Sequence, residues 1–127
     1  MSHLQAGLTG TAITTVSERN TAQTMRSGSL PVFATPAMCA LMEEAACAAV
    51  ANCLEEGTGT VGISLSISHS APTALGDQVE AEAQLTSVEG RKLTFAVIAK
   101  DAKGTIGKGI HERFIIDNEK FMGKLQK

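Results

Sequence analysis

Over residues 61–71 apolar and polar positions alternate with period two. Val61, Ile63, Leu65, Ile67, His69 and Ala71 share one parity; Gly62, Ser64, Ser66, Ser68 and Ser70 share the other. Such alternation predicts a strand with one face against a core, and His69 has the buried parity. Residues 78–88 alternate in the same way, Val79, Ala81, Ala83 and Leu85 opposing Gln78, Glu80, Glu82 and Gln84. Residues 92–100 put Leu93, Phe95, Val97 and Ala99 inward, and residues 105–116 form a last strand. Glu89-Gly90 and the 101–104 segment are turn signals between them. Before all of these, residues 8–16 are a Thr-rich strand candidate and residues 17–31 read as a long polar loop.

Between that loop and the alternating strands the period changes. From Thr35 to Gly57 the chain is rich in alanine and other strong helix formers, long enough for roughly 30 Å of helix. Thr35 suits the N-cap, Pro36 the first helical position and Gly57 the residue after the end. The helix is apolar nearly all round, as expected of one wrapped by a sheet. At about 100° per residue, Glu44 falls with Glu55, Ala48 and Ala51 on a small, polar side. Glu43 falls among Cys39, Cys47, Val50 and Leu54. A carboxylate on an apolar side is costly unless it is paired or used, which singles out Glu43.

The order strand, long helix, four strands describes a single α+β domain over residues 1–127: an antiparallel sheet of about five strands around one central helix. At this length it can bury a core without disulfides or metal. A net charge of −2 and the scarcity of aromatics (four Phe, no Trp or Tyr) argue against a nucleic-acid reader. Three cysteines, an odd number without metal-knuckle spacing, read as small buried thiols in a reducing compartment. Without a leader-like start or a run near 18 apolar residues, the expectation is a soluble, cytoplasmic protein with no membrane partner. His3, near the start, reads as exposed.

Ordered along this framework, Thr35 opens the helix, Glu43 follows eight residues later and His69 twenty-six after that; Gly62 precedes His69 by seven, and Arg113 lies late in the last strand. This set resembles the hotdog fold of acyl-CoA thioesterases and dehydratases, and within it the fluoroacetyl-CoA thioesterase-like branch. The resemblance covers roughly residues 8–117. It implies an acyl-CoA thioesterase that releases free acid and CoA from a small or medium acyl group. Thr35, Glu43 and His69 would be its catalytic residues, with Gly62 and Arg113 near the thioester. It also implies a homodimer, or a dimer of dimers, with the site at the dimer interface. Coenzyme A is then part of the substrate, and neither a separate cofactor nor a metal is expected.

Two routes fit these residues. Thr35 Oγ attacks the carbonyl while His69 takes its proton, or Glu43 or His69 activates water that Thr35 positions. Eight helical residues separate Thr35 from Glu43 by about 12 Å along the axis, which disfavours a direct bond within one helix; either His69 bridges them or the site combines residues from two chains. Each residue also has a plainer reading: Thr35 as an N-cap, Glu43 as half of an ion pair, His69 as a satisfied strand-end histidine, Arg113 as a surface ion-pair residue. His111 shares the parity of Arg113 and reads as structural or as a rim residue. Two rival functions are a non-catalytic acyl-CoA or small-ligand binder and a hotdog hydratase or dehydratase. For the latter, Asp77 stands after His69, in the wrong order.

Overall fold

A computed structural model of the chain describes residues 4–126; His3 lies outside them. The elements in chain order are β1 (Thr9–Thr15), α1 (Ala22–Met25), α2 (Thr35–Val50), β2 (Thr58–His69), β3 (Gln78–Glu89), β4 (Lys92–Asp101), β5 (Gly104–Asp117) and α3 (Asn118–Gly123). The five strands form one antiparallel sheet in the order β1-β3-β4-β5-β2. The α2 helix packs on its inner face. Met38, Leu41, Met42, Ala45, Ala46, Ala49 and Val50 of the helix meet the inward positions of β3 and β4 foreseen from the alternation: Val79, Ala81, Ala83, Leu85, Leu93, Phe95, Val97 and Ala99.

Helix and strand approach closely at Gly10 of β1. A Cβ at that position would overlap the backbone of Ala49 and Ala45 in α2, and backbone cannot swing aside as a side-chain tip can. Gly10→Ala is expected to cost about 2 kcal/mol, roughly a 10 °C lower melting temperature for a domain of this size. An unchanged melting temperature in a thermal scan would contradict this packing.

Several local expectations need correction. The α2 helix ends at Val50 and tightens into a 3-10 turn at Ala51–Cys53, so Gly57 serves a separate turn at φ +84°. The sheet covers one side of α2 only; Ala40, Glu44, Cys47 and Ala48 are exposed in the single chain. The cysteines are accordingly not all buried: Cys39 and Cys53 are half-buried and Cys47 is exposed. The 17–31 segment is no plain loop. It holds a 3-10 turn at Glu18–Asn20, capped by Ser17, and the single turn α1, capped by Thr21.

The correction with the most consequence lies in β2. Pairing with β5 runs Gly62↔Arg113 and then Ser64↔Glu112, leaving Ile63 as the extra residue of a β-bulge. An extra residue reverses the parity of whatever precedes it. Leu65, Ile67 and His69 face inward as expected. Upstream, Thr60 and Gly62 take the face of Arg113, while Val61 lies opposite the exposed Phe114 and Ile63 is itself exposed. Gly62 thus shares the face of Arg113 and His111, although it is exposed in the single chain.

Candidate active site

Helix α2 starts where β2 ends, and this brings Thr35 to His69. Ala34, not Thr35, occupies the N-cap position and no side chain caps the helix. The Thr35 hydroxyl is instead 2.7 Å from His69 Nδ1. His69 Nε2 is buried and has no hydrogen-bond partner among the described residues. Burial holds the imidazole below its ordinary pKa, an effect that the backbone of Ala71 partly opposes. A neutral ring protonated on Nε2 presents its Nδ1 lone pair to the Thr35 hydroxyl, the geometry of a general base beside a nucleophile. A cleft of about 250 Å³ opens on the pair, walled by Ala22, Ser27, Val32, Phe33, Ser70 and Pro72 among others.

The depressed pKa has a sign that can be checked. Because protonation of His69 is resisted, the neutral base survives as pH falls past 6.5, the ordinary value. The acid limb of kcat/KM, which reports the free enzyme, is expected below pH 6.5. A limb above it would contradict His69 as the base.

Two turns further along α2 a second group assembles. Arg113 of β5, 6% exposed, reaches across β2. Its Nε donates to Thr60 Oγ1 at 2.8 Å and its Nη2 to the Thr60 carbonyl at 2.9 Å. Its Nη1 faces His111 Nε2 at 3.1 Å and Glu43 Oε2 at 3.4 Å. The Glu43 side chain is 43% exposed, so its carboxylate stands at the edge of the buried guanidinium. Gly62 sits under them all. A Cβ there would lie 2.7 Å from Glu43 Oε2 and 3.3 Å from both Arg113 Nη1 and His111 Cε1. Gly62 is needed so that the Glu43 carboxylate can approach.

The five residues singled out from the sequence therefore fall into two groups, Thr35 with His69 and Glu43 with Gly62 and Arg113. No hydrogen bond or ion pair joins the groups among the described residues. His111 belongs to the second and was read only as structural or rim; its shared parity with Arg113, two residues away, was the available signal.

Comparison with known proteins places the chain. Residues 16–119 match the family model described as fluoroacetyl-CoA-specific thioesterase. The chain belongs to the fluoroacetyl-CoA-specific thioesterase family. A member from Streptantibioticus cattleyicolor, named fluoroacetyl-CoA thioesterase, is 45% identical over 95 residues, 75% of this chain and 68% of that protein. A crystal structure of a fluoroacetyl-CoA-specific thioesterase variant superposes with a TM-score of 0.91 at 36% identity, covering 98% of this chain and 97% of that one. A Thermus thermophilus thioesterase superfamily member superposes with a TM-score of 0.90 at 28% identity, over 98% and 93% of the two chains. The fold is thus a hotdog, and family membership makes the chain a thioester hydrolase of the acyl-CoA class.

Proposed function

We propose that this family member hydrolyses the thioester of a small or medium acyl-CoA at Thr35 and His69. The observation that carries the reading is the 2.7 Å contact between Thr35 Oγ1 and His69 Nδ1, made by a hydroxyl released from helix capping. Thr35 Oγ attacks the thioester carbonyl as its proton passes to His69. A C–O bond forms, the C–S bond breaks, and the proton leaves with the CoA sulfur. His69 then draws a proton from water as the water attacks the acyl ester, and returns that proton to the departing Thr35 Oγ, which frees the acid and regenerates Thr35. Free backbone N–H groups in the first turn of α2 would supply donors for the developing oxyanion. Glu43, set by Gly62 and Arg113, supplies a carboxylate at the thioester's other side.

Thr35 is exposed in the single chain, whereas thioester chemistry gains from exclusion of water. A second copy answers that need. The edge strand β2 is 12 residues long and, its bulge apart, lacks two usual devices against edge pairing, charged residues and proline. Pairing there would bring the Glu43 group of one copy toward the Thr35 pair of the other, which explains why the two groups do not meet within one chain. We therefore assign a homodimer with interface sites. The free thiols of Cys39, Cys47 and Cys53 suit a reducing, cytoplasmic setting.

A free-thiol release assay over a panel of acyl-CoAs tests the function. Release for short and medium chains is expected; tight acyl-CoA binding without release from folded protein would convert the assignment to a binder. Glu43→Gln should lower turnover more than the exposed Glu44→Gln. Equal effects would remove Glu43 from the site.

A further inference from the structure

We propose that His111 is a positioning residue for thioester hydrolysis, holding Arg113, and through it the Glu43 carboxylate, in place across the β2 bulge. The inference rests on the hydrolase reading above and adds a residue to it. His111 is 1% exposed, and its ring lies beside Phe95, stacked with centroids 6.2 Å apart. Its two nitrogens have opposite tasks. Nδ1 is 2.8 Å from the Ser64 carbonyl, which can only accept, so Nδ1 carries the proton. Nε2 is 3.1 Å from Arg113 Nη1, which can only donate, so Nε2 is the acceptor.

That pairing fixes a neutral tautomer. A second proton on Nε2 would face the guanidinium N–H and place two positive charges in contact. Burial foremost, and then the Arg113 charge, hold the imidazole below its ordinary pKa, against the opposing pulls of the Ser64 carbonyl and of the Glu43 and Glu112 carboxylates. The 3.9 Å separation of His111 Nε2 from Glu43 Oε2 is therefore not an ion pair; Glu43 pairs with Arg113.

The geometry makes a bracket around the bulge. Arg113 grips Thr60 before it and His111 grips Ser64 after it. Gly62, whose missing side chain admits the carboxylate, lies between the two grips. Arg113 spends four of its five N–H donors on Thr60 (two), His111 and Glu43, so one Nη2–H remains. The guanidinium is thus held in one orientation. Without the acceptor at His111 Nε2, Nη1 loses the partner that aims its second N–H at Glu43.

Two isosteres separate positioning from mere support. In His111→Gln the amide oxygen falls near Nε2 and can accept from Arg113. In His111→Asn the amide nitrogen falls near Nδ1 and can donate to Ser64. Both lose the stack on Phe95, so both share that stability loss. We expect kcat to fall about 10-fold or more in His111→Asn, with a smaller change in KM, and to recover most of the way in His111→Gln. Equal losses, or better rescue by asparagine, would overturn the role and leave His111 as an anchor of β2. Independently of activity, ¹⁵N spectra of histidine-labelled wild type should show His111 protonated on Nδ1 and bare on Nε2; the opposite tautomer would also overturn it. Thiol release by the wild type separates the two levels. Its absence removes the hydrolase reading and this role with it, whereas normal wild-type release with no Gln/Asn difference removes only the role.

Discussion

Thiol release by His69→Ala is expected to fall at least about 100-fold, the usual contribution of a positioned general base, while the protein stays folded. His69 ends β2, and its backbone pairs with Gly107 whatever side chain it carries. The imidazole is half-buried, and its described side-chain partner is the Thr35 hydroxyl at 2.7 Å. Removing it therefore takes away the proton acceptor and little packing. Without that acceptor Thr35 is an ordinary alcohol, a weak nucleophile toward a thioester at neutral pH. Far-UV circular dichroism and a melting curve close to wild type would separate chemistry from folding. Near-normal turnover in a folded His69→Ala protein would sink the assignment.

Gly62→Ala is expected to lower turnover on the order of 100-fold, the effect of a misplacement of about 1 Å at a reacting group. The added Cβ would stand 2.7 Å from Glu43 Oε2. The carboxylate ends a flexible, 43% exposed side chain, so it moves aside sooner than the backbone does, and stability changes little. Arg113 and His111 are buried and gripped from both sides of the bulge, and so do not follow it. Gly59→Ala on the same strand is the control, because the atoms nearest its Cβ would be those of the Asn118 side chain, which belongs to neither group. If Gly62→Ala and Gly59→Ala turned over alike, the position of Glu43 beneath Arg113 would not matter to the reaction.

The sheet and its buried faces were legible because alternation over β3 and β4 is long and uninterrupted, and one face meets a single apolar helix. His69 was legible for the same reason, lying on the clean half of β2. The other half was misread. A bulge adds one residue without any local propensity to announce it, and Ile63, apolar and exposed, continued the alternation that the bulge breaks. Only Gly62, small at a position that three long side chains crowd, carried the signal. The helix start was legible from Pro36, but not the shift by one residue that makes Ala34 the cap and frees the Thr35 hydroxyl. The partner that takes up the freed hydroxyl, His69, lies thirty-four residues away. The cysteines were misjudged because α2 looks apolar on every side, while the sheet of one chain covers only half of it. His111 was underestimated since its value lies in two partners, the Ser64 carbonyl and Arg113 Nη1, that only the folded register brings together.

The most direct measurement is CoA thiol release by the wild type beside Thr35→Ala on the best acyl-CoA of a short-to-medium panel. The account predicts steady release by the wild type and a collapse in the folded variant. Release by Thr35→Ala at the wild-type rate would contradict hydrolysis at the start of α2.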